Sequence, residues 1–314
     1  MIIDIIGDIH GYADKLEGLL HQLGYRHNGT YFEPPKGHRA LFIGDLIDRG
    51  SQEIATLDIV FAMIDHDAAD AVMGNHEYNA LAFATPNPYR PEEYLRSHSD
   101  VHRRQHEAFL KEAPMGSELH NYWLKRFYEI PLWLETHYAC FVHACWDVDS
   151  MAVLAPLLTE NHCLTYEALV ATSQKDTPEF DALERVLKGV ETPLPDGLVM
   201  VDKEGAERKN VRVRWWLDDL DSKTIHEIAR APKSNLALIP TDALAENINF
   251  ALKTQKPVFV GHYWLTGSPE PLSPQVICTD YSAAVDSGYL TCYQFDTECP
   301  LPLSADNFVQ YRHD

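Results

Sequence analysis

The chain has 314 residues, 45% hydrophobic and 23% charged, the composition of a globular protein with a sizeable core. Asp and Glu outnumber Lys and Arg by 47 to 26, a formal net charge of −21. A field of that sign works against broad nucleic-acid binding and against anionic membrane surfaces.

In chain order, the first apolar β-branched run is Ile2–Ile6, which ends in Gly7-Asp8-Ile9-His10. Leu16, Leu19, Leu20 and Leu23 then share a helical face, with Asp14 and Glu17 spaced as a capping box and Gly24 as a stop. A second strand over 40–43 ends in Gly44-Asp45, and Ile54, Leu57, Phe61 and Ile64 predict a helix after Ser51. The third strand, 70–73, runs into Gly74-Asn75-His76-Glu77. Residues 85–125 are polar, begin with Pro86, Pro88 and Pro91, and read as a helical insertion. A fourth strand, 139–142, ends at His143, and a second insertion follows over about 150–209. The fifth strand, 257–260, ends in Gly261-His262, and alternation over 276–295 predicts closing strands. Strand alternating with helix indicates the α/β class.

Each of the five strands ends in a metal-competent or acid/base side chain, and strand carboxyl ends in an α/β sheet face one crevice. The convergent set is Asp8, His10, Asp45, Asn75, His143 and His262. Three imidazoles, two carboxylates and an amide oxygen suit a pair of divalent ions, Mn²⁺ first and Fe or Zn²⁺ otherwise, better than a tetrahedral cysteine-zinc site. Two such ions about 4 Å apart clamp a phosphoryl group. A Gly-Asp pair alone is usually a turn and a lone strand-end His usually structural. Five such ends in succession are not explained by turn chemistry.

The runs Gly7-Asp8-Ile9-His10-Gly11, Gly44-Asp45-Leu46-Ile47-Asp48-Arg49-Gly50 and Gly74-Asn75-His76-Glu77 resemble the calcineurin-like metallophosphoesterases. Within them they look most like the phosphoprotein phosphatase branch, which also holds bacterial diadenosine tetraphosphate hydrolases. The resemblance implies a four-layer αββα sandwich of two mixed β-sheets flanked by helices, one domain over 1–314 that carries the two helical insertions. It implies that Asp8 and His10 bind one ion, that Asp45 bridges, and that Asn75, His143 and His262 bind the second. It also implies His76 as general acid, Asp48 orienting and charging its imidazole, and Arg49 as a phosphate-binding fork. The implied reaction is metal-hydroxide attack on phosphorus, in line and without a covalent enzyme intermediate.

Two departures bear on substrate: His143-Ala144-Cys145-Trp146 stands where the family commonly has His-Gly-Gly, and Gly261-His262-Tyr263-Trp264 is unusually aromatic. A phosphate monoester, on a protein or small molecule, is the leading expectation. A symmetrical dinucleoside polyphosphate such as diadenosine tetraphosphate is the alternative, and a catalytically inactive metal- or nucleotide-binding module the third. The basic stretch 208–216 puts Arg212 and Arg214 on one strand face, either as a second phosphate clamp, with Arg214 ahead, or as solvated charges. Trp215, Trp216, Tyr263 and Trp264 stack a base or fill core. His102 and His106, at i, i+4, read as an exposed helix face, and the arginines 90, 96, 103 and 104 as a substrate-facing lid. Six dispersed cysteines predict free thiols, with a Cys292–Cys299 bridge as an unsupported option. No run is long enough to span a membrane and no leader pattern stands at the start, so a cytoplasmic enzyme is expected.

Overall fold

The computed structural model of the chain describes residues 1–201, 207–245, 248, 250–285 and 287–312. The apolar runs pair into two sheets. In the first, Ile2–Ile6 lies parallel to His38–Phe42, which in turn lies parallel to Ala69–Ala71. Tyr289–Asp296 runs antiparallel to Ile2–Ile6 and also pairs with Asp280–Tyr281 and Phe308–Tyr311. In the second sheet Val276–Cys278, Val258–Val260 and Cys140–Val142 are parallel, and Trp133–Glu135 closes the edge antiparallel. The predicted closing strands therefore divide between the sheets.

Strand alternation puts Ile3, Ile5, Leu41, Ile43 and Val72 of the first sheet against Phe141, Phe259 and Ile277 of the second, in one buried cluster with Tyr293 and Phe295. Each such side chain contributes about 1.5–3 kcal/mol on leaving water. The outer faces carry helices. Leu16, Leu19 and Leu20 of Ala13–Gln22 and Leu57, Val60 and Phe61 of Glu53–Asp65 belong to a second core with Ile6 and Phe42. Leu169, Leu183 and Val186 join the same core with Val142 and Val260. The layers are helix, sheet, sheet, helix, as the resemblance implies.

One local expectation is corrected. The first helix begins at Ala13 without a side-chain cap, so Asp14 does not open a capping box. The Asp14 N–H instead donates to Gln52 Oε1, 3.1 Å away on a different segment, because a tertiary acceptor was nearer than a local one. The weakly patterned stretch after His143 holds three helices, Val148–Leu154, Tyr166–Thr172 and Pro178–Lys188, capped by Asp147, Thr165 and Thr177. Residues 202–206 of that predicted insertion lie outside the described residues. All six cysteines are free, with Cys292 buried and Cys299 exposed, and no described helix is long and apolar enough to cross a membrane.

Candidate active site

Chain turns at the strand ends create the site. Gly44, at φ +84°, and Gly74 pack backbone to backbone: a Cβ on Gly44 would stand 2.3 Å from Gly74 N, and one on Gly74 would stand 2.1 Å from Asp45 N. Only glycine permits that approach, which brings Asp45 beside Asn75 and His76. Asp45 Oδ2 becomes the hub. His143 Nε2 lies 3.3 Å from it, His10 Nε2 3.8 Å and His76 Nε2 3.9 Å. Two candidate ion clusters share Asp45, one with His10 and His76 and one with His143 and His262. Asn75 Oδ1 lies 3.3 Å from His143 Nε2. Asp8 belongs to neither cluster; its two carboxylate oxygens accept the His262 backbone N–H at 3.2 and 3.1 Å.

The donor set fits metal ions. His10 Nδ1 and His143 Nδ1 lie 2.9 and 2.6 Å from the carbonyl oxygens of Ile47 and Ile43, which can only accept, so each Nδ1 carries the proton. The Nε2 lone pairs are thereby turned inward, and those of His10 and His262 are buried without a hydrogen-bond partner. Burial and the neighbouring His76 push the His10 imidazole down to about 3. Burial, then Arg212 and His143, lower His262 well below the usual range. Burial opposes ionisation of Asp45, but His143, His76 and His10 overcome it and hold this carboxyl well below its usual range. Burial, Asp280 and Asp45 together push Asp8 up. Asp45 raises the His143 imidazole against the effect of its burial, whereas His10 and His262 stay neutral; buried neutral imidazoles beside the crowded carboxyls of Asp8 and Asp45 are the arrangement a divalent ion relieves.

Beside the hub, His76 Nδ1 donates to Asp48 Oδ2 at 2.7 Å and the His76 backbone N–H donates to Asp45 Oδ1 at 2.9 Å. Burial alone would lower the His76 imidazole; Asp45 and Asp48 outweigh it and raise it. Arg49, exposed at φ +92°, lies with its guanidinium carbon 4.4 Å from the centre of the Trp264 ring. Arg214 turns its guanidinium to the Glu227 carbonyl, whereas Arg212 is the arginine that acts on His262. Val211 and Val213 are buried on the opposite strand face, as the alternation predicts. Of the four aromatics, Trp215, Trp216 and Tyr263 are core: Trp215 Nε1 donates to the Tyr263 hydroxyl at 2.7 Å, which donates to the Ala144 carbonyl at 2.9 Å. Trp264 alone is part-exposed at the site. Burial pushes the Cys145 thiol well up, which makes it a packing residue.

The reading of His102 and His106 as an exposed helix face is corrected. His106 is buried and its Nδ1 donates to Asp48 Oδ1 at 2.9 Å, because the helical segment folds back over the 45–50 loop. Arg96 is held by Asn79 and Gln105, and Arg103 by the His98 carbonyl, which leaves Arg104 as the member of that group lining the groove beside Arg49.

Sequence reasoning also passed over three buried carboxylates. Glu77 accepts the backbone N–H groups of Gly74, Asp45 and Leu46 at 2.9, 3.0 and 2.8 Å and so ties two motif loops together; burial and Asp45 push it up to about 7. Asp280 follows a strand end like the others, a signal that could have found it, and accepts the Trp264 N–H at 2.6 Å. Glu53 accepts the Asp48 N–H through Oε2 at 2.7 Å, while its Oε1 is buried without a partner. Burial and the adjacent Asp48 push Glu53 from 4.5 up to about 9. Through that window the folded chain holds a proton that the unfolded chain has released, so this group subtracts stability as pH rises. Glu53→Gln removes the slope. Its melting temperature is expected to gain on the wild type between about pH 5.5 and about pH 8.5; an equal difference at both values would contradict the assignment.

Residues 1–138, under half of the chain, match the family model described as calcineurin-like phosphoesterase. The asymmetrical bis(5'-nucleosyl)-tetraphosphatase PrpE of Geobacillus sp. (strain WCH70) is 41% identical over 76 residues, covering 24% of this chain and 31% of that protein. The Bacillus subtilis (strain 168) protein of the same name is 30% identical over 132 residues, covering 38% and 54%. The matches thus span about a third to about a half of the length of these curated relatives. A protein serine/threonine phosphatase structure from Saccharomyces cerevisiae superposes with TM-score 0.54 at 14% identity, over 100% of this chain and 80% of that one, a likeness of fold.

Proposed function

We propose that the chain, as one domain over 1–314, is a metal-dependent hydrolase of phosphoric esters that acts on phosphate monoesters. Asp8, His10, Asp45, Asn75, His143 and His262 would hold two divalent ions, Mn²⁺ in the first instance. The observation that carries the reading is the convergence of His10, His143 and the Asp48-bonded His76 on Asp45 Oδ2. When bound, such ions supply Lewis-acid polarisation of a phosphoryl oxygen and acidify water. His76 delivers a proton from Nε2 to the departing oxygen, while Asp48 keeps the ring oriented and charged. Arg49 presents a fork to the phosphate from its perch on Trp264, and Arg212 is the second candidate clamp, ahead of Arg214.

A second reading, hydrolysis of a dinucleoside polyphosphate, is favoured by one feature. A groove of about 550 Å³ leads away from Arg49 between Ser51 and the segment bearing Arg104 and Lys111. Glu107, ion-paired with Lys111 at 3.0 Å, and Glu112 line it too, so Arg49 and Arg104 are the cations it offers, with room, to the parts of a substrate beyond the reacting phosphate. The name borne by the partial relatives points the same way. The deciding experiment offers a phosphopeptide and diadenosine tetraphosphate side by side with Mn²⁺. Peptide turnover alone supports the monoesterase, dinucleotide cleavage alone the second reading, and the products distinguish symmetrical cleavage (two ADP) from asymmetrical (ATP and AMP). Arg104→Glu is expected to raise KM for the dinucleotide about tenfold, the worth of one charge-assisted contact, and to leave p-nitrophenyl phosphate nearly unchanged. Equal effects on both would remove the groove from the second reading. No turnover of any phosphate compound would leave the inactive binding module.

A further inference from the structure

Asp48 is gripped from two sides. Its Oδ2 accepts from His76 Nδ1 at 2.7 Å and its Oδ1 from His106 Nδ1 at 2.9 Å. A carboxylate only accepts, so both imidazoles carry their proton on Nδ1 and each oxygen has its own donor. Burial would push the Asp48 carboxyl up, but His106 and His76 prevail and hold it down at about 2, so it is present as carboxylate.

His106 comes from elsewhere in the chain. It is the single residue between the helices Asp100–Gln105 and Glu107–Glu112, and it is buried against Phe83 and Phe109, with ring centres 5.3 Å away in each case. Its Nε2 is buried with no partner. An apolar side chain would fill that aromatic surrounding without burying an unsatisfied nitrogen, so packing gives no reason for a histidine here. The bond to Asp48 does. Rotation about the last torsion of an aspartate is soft and roughly two-fold. With one donor the carboxylate swings about its Cβ–Cγ bond; with two it is locked, and the His76 ring is locked with it.

We propose that His106 is a positioning residue for proton delivery by His76, clamping the second oxygen of Asp48 so that the carboxylate and the ring hold one orientation. The proposal rests on the reading of His76 as the general acid. It also ties the helical segment to the chemistry, because Gln105, Glu107 and Ala108 on either side of His106 line the groove beside Arg49.

The test uses His106→Leu, which removes the donor, and His106→Asn, whose amide nitrogen can donate from nearly the Nδ1 position, both in the metal-loaded protein. His106→Leu is expected to lose about 10–100-fold in kcat on phenyl phosphate, the usual effect of removing an orienting partner, with KM little changed. The loss is smaller on p-nitrophenyl phosphate, whose leaving group scarcely needs an acid, and His106→Asn recovers most of it. Equal losses on the two esters, or an asparagine variant no better than the leucine one, overturn the proposal. Absence of turnover by the wild type would strike at the general-acid reading itself, whereas normal wild-type turnover with an unaffected His106→Leu strikes at His106 alone. Histidine-selective ¹⁵N NMR with Zn²⁺ as a diamagnetic ion gives a readout independent of rate. The protected Nδ1 proton of His76 is expected to be lost in His106→Leu and restored in His106→Asn. A signal unchanged in the leucine variant overturns the proposal whatever the rates.

Discussion

Asp45→Ala is expected to abolish binding of both ions together and to cut turnover by about 10³ or more, since metal-ion stabilisation of the transition state is worth several kcal/mol. The reason is topological: Asp45 Oδ2 stands between ligands proposed for the two ions, 3.8 Å from His10 Nε2 and 3.3 Å from His143 Nε2. The variant has a second defect, because Asp45 Oδ1 also accepts the His76 backbone N–H at the start of Asn75–Ala84. Asp45→Asn separates the two effects. Its amide oxygen can keep the backbone bond while the bridging charge is gone, so it should fold like the wild type and still fail to bind the pair. Metal analysis and thermal melts check this together. At an ion concentration 100 times Kd the wild type gains about 2.7 kcal/mol of stability per bound ion, lost on chelation, and neither variant responds. A variant that retains two ions would rule out the bridging role.

His76→Ala should behave in the opposite way: ions retained, kcat down by about 10²–10⁴, the usual contribution of a positioned acid. The size of the loss should grow as the leaving group becomes more basic, because a poor leaving group depends more on the proton it receives. The pH profile carries the same information. His76 is raised by Asp45 and Asp48 against the effect of its burial, so its acid form persists to higher pH than that of a free imidazole and the wild-type rate falls on the alkaline side as that proton is lost. The alanine variant has no such alkaline limb. If the limb survives in His76→Ala, another group is the acid.

The two variants follow from features of different legibility. Asp45 and His76 were plain in the chain, each a step past a β-branched run and a glycine. So were Asp8, Asn75, His143 and His262, because a strand followed by a tight turn is a local pattern, and parallel strands point their ends the same way. The outward face of Arg212 and Arg214 was equally local, set by the two-residue period of a strand. What each arginine then did was not. Arg214 is drawn to the Glu227 carbonyl and Arg212 bears on His262, and these are matters of which segment packs alongside.

Other features left little trace in the chain. His106 at i, i+4 from His102 had the pattern of a surface pair, and its place on Asp48, 58 residues away, arises only when the helical segment closes over the turn. Glu53 and Glu77 stand in the first turns of their helices, and nothing local marks the distant backbone N–H groups they hold. Trp215, Trp216, Tyr263 and Trp264 were equivalent as a composition of aromatics; burial alone separates the three that fill core from the one beside Arg49. The sequence by itself determined the α/β class, the strand ends and the chemical types gathered there, because period, turn and strand polarity act over a few residues. The tertiary structure decided the roles within that gathering. A partner's identity, a buried proton or a hydrogen-bond clamp depends on contacts between segments distant along the chain, and distance along a chain has no periodicity to read.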